Sequence, residues 1–313
     1  MMPRGSIGVP CECATRPPPA LNVRPILSDA DKSKSREPVD AVPASTMLLL
    51  RDGDDMLEVF MVERHHKIDF AEGALVFPGG KTEISDGDPA LAARCRMQDG
   101  STAMGLTPAE LAVRVGGIRE TFEECGVLLA RPRGSEELVD AARLATLAEK
   151  HREALHENQI TMLDFVTTED LELAFDRLVF FAHWITPKFM PKRFDTYFFL
   201  VEAPADHLAI HDGTESVDSL WTTIPNALEL EKTGQRTIIF PTLENIKKLG
   251  RSATVDAALA AATADEVVTV LPKLEKDVDG GTVMVLPEAA GYDTVRAPIA
   301  ALTGRMPKGA PNS

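Results

Sequence analysis

The chain is short of positive charge. Lysine and arginine number 33 against 48 acidic residues, for a formal net charge of -15. A protein that tracks a duplex carries a basic stripe to neutralise phosphates, so nucleic acid is not an expected partner. An acidic chain that handles phosphates needs cations to reconcile the charges, and divalent metal is the natural choice. Cysteine is scarce too. Cys11, Cys13, Cys95 and Cys125 show no zinc-site spacing, and the first two fall in an unpatterned tail, so a reduced, cytoplasmic setting is expected. The N-terminus lacks the apolar core of a secretory signal. The longest apolar run, around Leu178 to Ile185, is too short for a bilayer, so no membrane partner is expected. The closing Pro311-Asn312-Ser313 is not a peroxisomal address of the Ser-Lys-Leu kind.

What is present is an ordinary globular chain. With 313 residues, 44% of them hydrophobic, it can bury a substantial core as one large domain with appendages. Residues 1–41, rich in Pro, Arg, Ser and Asp without periodicity, read as a disordered tail. Thr46 to Leu50 reads as a buried strand, Asp52 to Asp55 as a turn and Leu57 to Val62 as a second strand, together a hairpin. Ala74 to Phe77 is a short third strand, stopped by Pro78-Gly79-Gly80.

Residues 81–107 are polar and small, with one short helical segment near Pro89 to Met97. They predict a surface excursion that tunes substrate choice more than stability. Thr107, Pro108 and Glu110 then supply an N-cap, a first-turn proline and a capping-box glutamate. The helix they start should run to Gly126, where glycine permits a left-handed cap. A strand begins at Val127 to Ala130, and Glu136 to His156 reads as a helix. Strands Leu178 to Thr186 and Thr196 to Glu202 follow, joined by the basic loop Lys188 to Arg193. Val217 to Thr222 is a further strand, Asn226 to Lys232, Leu243 to Leu249 and Val255 to Ala262 are helices, and Thr282 to Leu286 a last strand. Elements mixed in this way predict an α/β layered domain.

Helical geometry makes a sharp statement about Val115 to Gly126. At about 100° per residue from Glu120, Glu123 falls near 300° and Glu124 near 40°, within one arc of roughly 100°. Val115, Ile118, Phe122 and Cys125 fall at about 140° to 220°, on the opposite face. One side packs into a core while the other concentrates negative charge near the helix C-terminus, where the macrodipole disfavours anions. Such a cluster is either a solvated acidic face or a site for hard cations such as Mg²⁺ or Mn²⁺.

The neighbouring residues favour the second. Arg119-Glu120-Thr121-Phe122-Glu123-Glu124-Cys125-Gly126-Val127 resembles the R-E-U-x-E-E-x-G-U signature of the Nudix hydrolase family, with Thr121 departing at one aliphatic position. Upstream, Phe77-Pro78-Gly79-Gly80 resembles the strand and glycine turn that open the same box. The family's usual glutamate six residues after the second glycine is Asp86 here, and about 25 extra residues separate the two halves. Glu83 and Asp86 are both candidates for the missing glutamate's task of holding Arg119. The split box resembles the subgroup of the peroxisomal coenzyme A diphosphatase. Trp184-Ile185-Thr186-Pro187, Arg193-Phe194-Asp195-Thr196, and Glu215 with Trp221 extend that resemblance over roughly 44–250.

The resemblance implies a Nudix α/β/α sandwich with a mixed sheet over 42–250, an insertion at about 81–107 and a C-terminal extension with added helices over 251–313. It implies a small-molecule nucleotide substrate and leaves room for a homodimer. It also implies hydrolysis of a diphosphate with Mg²⁺ or Mn²⁺ held by Glu120, Glu123, Glu124, the Gly80 carbonyl and Glu215, although Glu215, an acidic loop residue before a strand, is equally explicable as solvated charge. Glu123 and Glu124 would carry metal that neutralises the diphosphate and activates water, while Glu120 is a further ligand or the general base. Arg119 completes the catalytic set as an ion pair steadying the turn before the cluster. Arg64, with Gly73 nine residues on, matches the element that precedes the box in coenzyme A hydrolases, although His65 and Asp69 depart from it. Lys188, Lys192 and Arg193 are either a phosphate-binding loop or ordinary solvated charge. His65 and His66, being adjacent, cannot share one strand face and are expected at the surface or the substrate lip. Coenzyme A or acyl-CoA, yielding 3′,5′-ADP and (acyl)phosphopantetheine, is the favoured substrate. NADH, ADP-ribose, or a regulator that binds a nucleotide without turnover are the alternatives.

Overall fold

In this computed structural model, residues 39–64, 73–207 and 216–303 are described. Residues 1–38 of the predicted tail, with His65, His66, Asp69 and Glu215, lie outside the described residues. Strand β1 (Val42–Asp52) holds the run Met47–Leu50, all 0% exposed. Successive strand side chains point to opposite faces, so Met47 and Leu49 enter one core and Leu48 and Leu50 the other. A strand buried on both faces belongs in the middle of a sheet.

There it lies. β2 (Leu57–Arg64) returns antiparallel to β1, β3 (Leu75–Val76) pairs with β2, and β4 (Gly79–Lys81) pairs with the first half of β1. Helix α1 (Pro108–Cys125) follows, starting at Thr107 with the predicted capping box and ending at a left-handed Gly126. β5 (Ala130–Pro132), α2 (Ala141–Leu147), a π-helical turn (Ala148–Arg152) and α3 (Glu153–His156) come next. α4 (Met162–Thr168), started by a Thr161–Asp164 capping box, and β6 (Leu171–Leu173), which pairs with β5, are elements not anticipated from the sequence. β7 (Val179–Ile185) and β8 (Phe194–Glu202) form the predicted hairpin, and β8 runs parallel to β1. β9 (Ser216–Thr223) pairs with β2 and leads into α5 (Ile224–Lys232), α6 (Phe240–Leu249) and α7 (Val255–Ala264). β10 (Thr269–Val270) lies beside β7, and β11 (Lys273–Lys276), β12 (Thr282–Val285) and β13 (Arg296–Pro298) make a separate small sheet.

Among the described residues the main sheet is mixed and eight-stranded, in the order β10-β7-β8-β1-β2-β3, with β4 beside β1 and β9 beside β2. Val115, Ile118 and Phe122 of α1 seal the Met47 face. Ile246 and Leu249 of α6, with Val255 and Ala258 of α7, seal the Leu48 face. The expected α/β/α sandwich is present. Residues past 250 share its core, since Val270, Met284 and Leu302 join the cluster of Leu48 and Leu50.

Two expectations need correction. The helix read from Glu136 begins instead at Ala141, where the Asp140 side chain accepts the Arg143 amide at 2.8 Å. The stretch 81–107 is not a surface excursion. Two 3₁₀ turns, Ile84–Gly87 and Pro89–Arg94, fold it against α1, and Leu91, Ala92, Cys95 and Ala103 are buried with Leu111 and Val115. The Arg96 amide also donates to the Leu173 carbonyl at 2.9 Å. Four apolar side chains scattered through a polar stretch carry no period, so composition alone misreads them.

Candidate active site

The two halves of the split box meet where β4 passes the C-terminal half of α1. Gly79 has φ of 149°, and a Cβ there would lie 2.2 Å from the Ser45 carbonyl oxygen. A Cβ on Gly80 would lie 2.6 Å from the Glu120 carboxylate. The glycine pair thus lets backbone approach both β1 and the acidic face of α1. The Gly79 amide donates to the Glu124 carboxylate at 2.8 Å, tying the loop to the helix.

The acidic face is not solvated. Glu123 is 6% exposed and Glu124 8%, while Val115, Ile118, Phe122 and Cys125 on the opposite face are almost wholly buried. Arg119 organises the cluster. Its Nη1 lies 3.0 Å from Glu123 Oε2 and 3.1 Å from Glu120 Oε1. Nη2 donates to the Lys81 carbonyl at 2.8 Å, and Nε and Nη2 each reach Asp86 at 3.1 Å. Burial by itself would lower the Arg119 pKa, but the charges of Glu120, Asp86 and Glu123 hold it above the usual arginine range. Burial pushes the Asp86 carboxyl up from its ordinary value against the pull of Arg119. Arginine stays cationic in proteins, and Asp86 accepts its guanidinium hydrogen bonds.

Asp86 therefore settles a choice left open by the sequence. It is 0% exposed, accepts the Glu83 amide at 2.8 Å in the cap of the first 3₁₀ turn, and takes the guanidinium fork; Glu83 lines the cleft instead. The backbone of the last turn of α1 is held as well, because Arg152 Nε donates to the Glu123 carbonyl at 2.9 Å.

Three carboxylates, those of Asp86, Glu120 and Glu123, gather around one guanidinium near the negative end of a helix, and that of Glu124 sits beside them on the Gly79 amide. The excess charge and the all-oxygen donor set fit a hard divalent cation. Among the described residues no three acidic, His or Cys side chains converge as a ready-made metal cage. Glu120 and Glu123 are turned to Arg119, and Glu124 to the Gly79 amide.

These groups occupy part of a cleft of about 450 Å³. Arg64 lines it, as do Trp184, Thr186, Phe194 and Thr196 from the quoted segments. Lys188, Lys192 and Arg193 are not among the lining residues. Lys188 and Lys192 are exposed. Arg193 is 8% exposed and donates to the carbonyls of Thr186 at 2.9 Å and Val39 at 2.6 Å, bracing the β7–β8 turn. His156 and Asn158, the latter left-handed with φ of 55°, also line the cleft, as do Pro272 and Leu302. Sequence reading missed all four, because only the chain's return over the sheet brings them there.

A buried glutamate cluster on a helix, a double-glycine turn and an α/β/α sandwich together define a Nudix-type hydrolase fold. Residues 88–249, just over half of the 313, match the family described as the NUDT19 Nudix domain, and the chain belongs to that family. The match starts after Asp86, so the first half of the box joins it through the fold. An acyl-coenzyme A diphosphatase NUDT19 from Xenopus laevis is 28% identical over 232 residues, covering 64% of this chain and 61% of that protein. The corresponding Gallus gallus protein is 29% identical over 219 residues, covering 56% of each. The chain thus spans about six-tenths of the first relative's length and just over half of the second's. A solved Nudix hydrolase from Alicyclobacillus acidocaldarius is similar in fold, with a TM-score of 0.55 and 26% identity over 71% of this chain and 96% of that one.

Proposed function

We propose that this protein hydrolyses the diphosphate of coenzyme A or its acyl esters, giving 3′,5′-ADP and (acyl)phosphopantetheine. The observation that carries this reading is the helix face of buried Glu123 and Glu124 and half-buried Glu120, held against the Gly79–Gly80 turn inside a cleft. The named activity of the two acyl-coenzyme A diphosphatases supports the choice of substrate. Glu123 and Glu124, with Glu120 and the Gly80 carbonyl, would hold Mg²⁺ or Mn²⁺. A bound divalent ion supplies charge neutralisation at the diphosphate and lowers the pKa of water.

The chain's own residues do the rest. Arg119 holds the Glu120 and Glu123 carboxylates by ion pairs, and the Gly79 amide fixes Glu124. Glu120, over Gly80, is placed to take a proton from the attacking water or to complete the metal shell. Water oxygen adds to one phosphorus, the bridging oxygen departs on the other phosphate, and no electrons leave the system. Glu215 stays a proposed further ligand. Cys95 and Cys125 are buried and outside any disulfide, which suits the reducing cytoplasm proposed for the protein.

Other nucleoside diphosphate derivatives, NADH and ADP-ribose, form the second reading. It is favoured by one observation: none of Lys188, Lys192 and Arg193, the candidate phosphate-binding loop, lines the cleft. Mass spectrometry of products from coenzyme A, dephospho-coenzyme A, NADH and ADP-ribose, with and without Mg²⁺, decides between them. Preference for coenzyme A supports the first reading. Preference for dephospho-coenzyme A or ADP-ribose replaces it with the second. No turnover by folded protein with any metal would leave a nucleotide-binding regulator.

A further inference from the structure

The cleft is asymmetric in charge. The sheet order places Arg64, at the end of β2, and Trp184, on β7, on opposite sides of β1, where the Gly79–Gly80 turn pairs. The Lys and Arg side chains among its lining residues are Arg64, Lys81 and Arg119, all on the box or on the β2 side of β1. The β7 end is walled by Trp184, Met190, Phe194, Pro272 and Leu302, without a cation.

Part of that apolar wall comes from beyond the matched Nudix residues. Pro272 and Leu302 follow the match, which ends at 249. The extension is anchored by a buried chain of hydrogen bonds through the cleft wall itself. The Trp184 indole N–H donates to the Tyr292 hydroxyl at 2.8 Å, which donates to Asn245 Oδ1 at 2.7 Å. Tyr292 is 7% exposed, and its ring centroid lies 5.1 Å from that of Trp184 in an edge arrangement. Leu302 is 7% exposed and packs into the core shared with β1 and β7.

We infer that residues 272–302 complete a specificity wall, and that the apolar end they close receives the acyl-pantetheine arm of the substrate. This rests on the coenzyme A reading above. The substrate is as lopsided as the cleft: one half is a nucleotide polyanion, the other an uncharged arm that ends in a thioester and alkyl chain. Placing phosphates against the β7 end would strip their water without supplying a cation. Seating the diphosphate at the glutamates with the nucleotide toward Arg64 matches charge at one end and apolar surface at the other. The wall therefore makes the enzyme prefer acylated over free coenzyme A, by roughly fourfold for each methylene that it buries.

The test is a chain-length series on the full chain, from free coenzyme A through acetyl, butanoyl and octanoyl esters, with kcat/KM for each. The inference expects a rise with length. Leu302→Asn and Met190→Gln should each lower the octanoyl-to-free ratio by about tenfold, since each sets an unpaired amide against the chain. Leu302→Met should keep the ratio, because volume and polarity are preserved. Reading a ratio separates specificity from any general loss of folding, and Met190, half-buried on the β7–β8 loop, covers the case in which Leu302→Asn fails to fold. A wild type that cleaves free coenzyme A with no dependence on length overturns the inference and leaves the proposed function standing. So does an unchanged ratio in both polar variants. A wild type that cleaves none of the esters but does cleave ADP-ribose overturns the proposed function, and the inference with it.

Discussion

Arg119 on α1 and Asp86 in the inserted segment form a buried ion pair, with Nε 3.1 Å from Oδ1 and Nη2 3.1 Å from Oδ2. Through it the insertion sets the direction of a guanidinium that also holds Glu120 and Glu123. Asp86→Ala is expected to lower turnover about 10- to 100-fold, the usual cost of losing a group that orients ligands. It should also destabilise the fold by about 3 kcal/mol, because it leaves buried donors short of an acceptor. Steady-state kinetics and urea unfolding check both, and wild-type values in each would show that Asp86 is a bystander.

Glu123→Gln and Glu124→Gln remove charge from the cluster without changing its volume. Turnover is expected to fall by orders of magnitude while the far-ultraviolet spectrum stays native. A readout independent of activity comes from thermal melting with added Mn²⁺ or Mg²⁺. Ion at a hundred times its dissociation constant stabilises the wild type by about 2.7 kcal/mol, and this shift should shrink in both variants. Equal shifts in all three proteins would place the metal elsewhere.

Gly80→Ala probes the close approach of the turn to α1. Its Cβ would come within 2.6 Å of the Glu120 carboxylate, so that flexible side chain must swing aside. The expected result is a large loss in kcat with a stability change of only about 1 kcal/mol, because the obstructing group is a side-chain end. Retained activity would argue against a catalytic or metal-binding role for Glu120.

The inserted segment should be needed for folding. Leu91 is 0% exposed within the α1 core, and Leu91→Ala is expected to cost about 2–5 kcal/mol. Replacing residues 88–105 by a short linker removes Leu91, Ala92, Cys95 and Ala103 together and should abolish cooperative thermal unfolding. A deletion variant that melts cooperatively near the wild-type temperature would restore the view of the segment as a surface excursion.

Much of the molecule could be read from its residues because the signals are local. Thr107, Pro108, Glu110 and Gly126 mark both ends of α1 through hydrogen bonds made within a turn. The 3.6-residue period alone puts Glu120, Glu123 and Glu124 on one face. The run Met47–Leu50 states that β1 is central, because only a strand covered on both sides has no polar face to spare. Tertiary structure decided whatever depends on distant partners. Asp86 and Glu83 look alike in the chain, and the direction of Arg119 selects between them. Arg193 looks like a phosphate ligand until the carbonyls of Thr186 and Val39 take its guanidinium. Leu91, Cys95, Pro272 and Leu302 follow no period, so their places in core and cleft arise only when the chain folds back on the sheet and burial is shared among elements far apart in sequence.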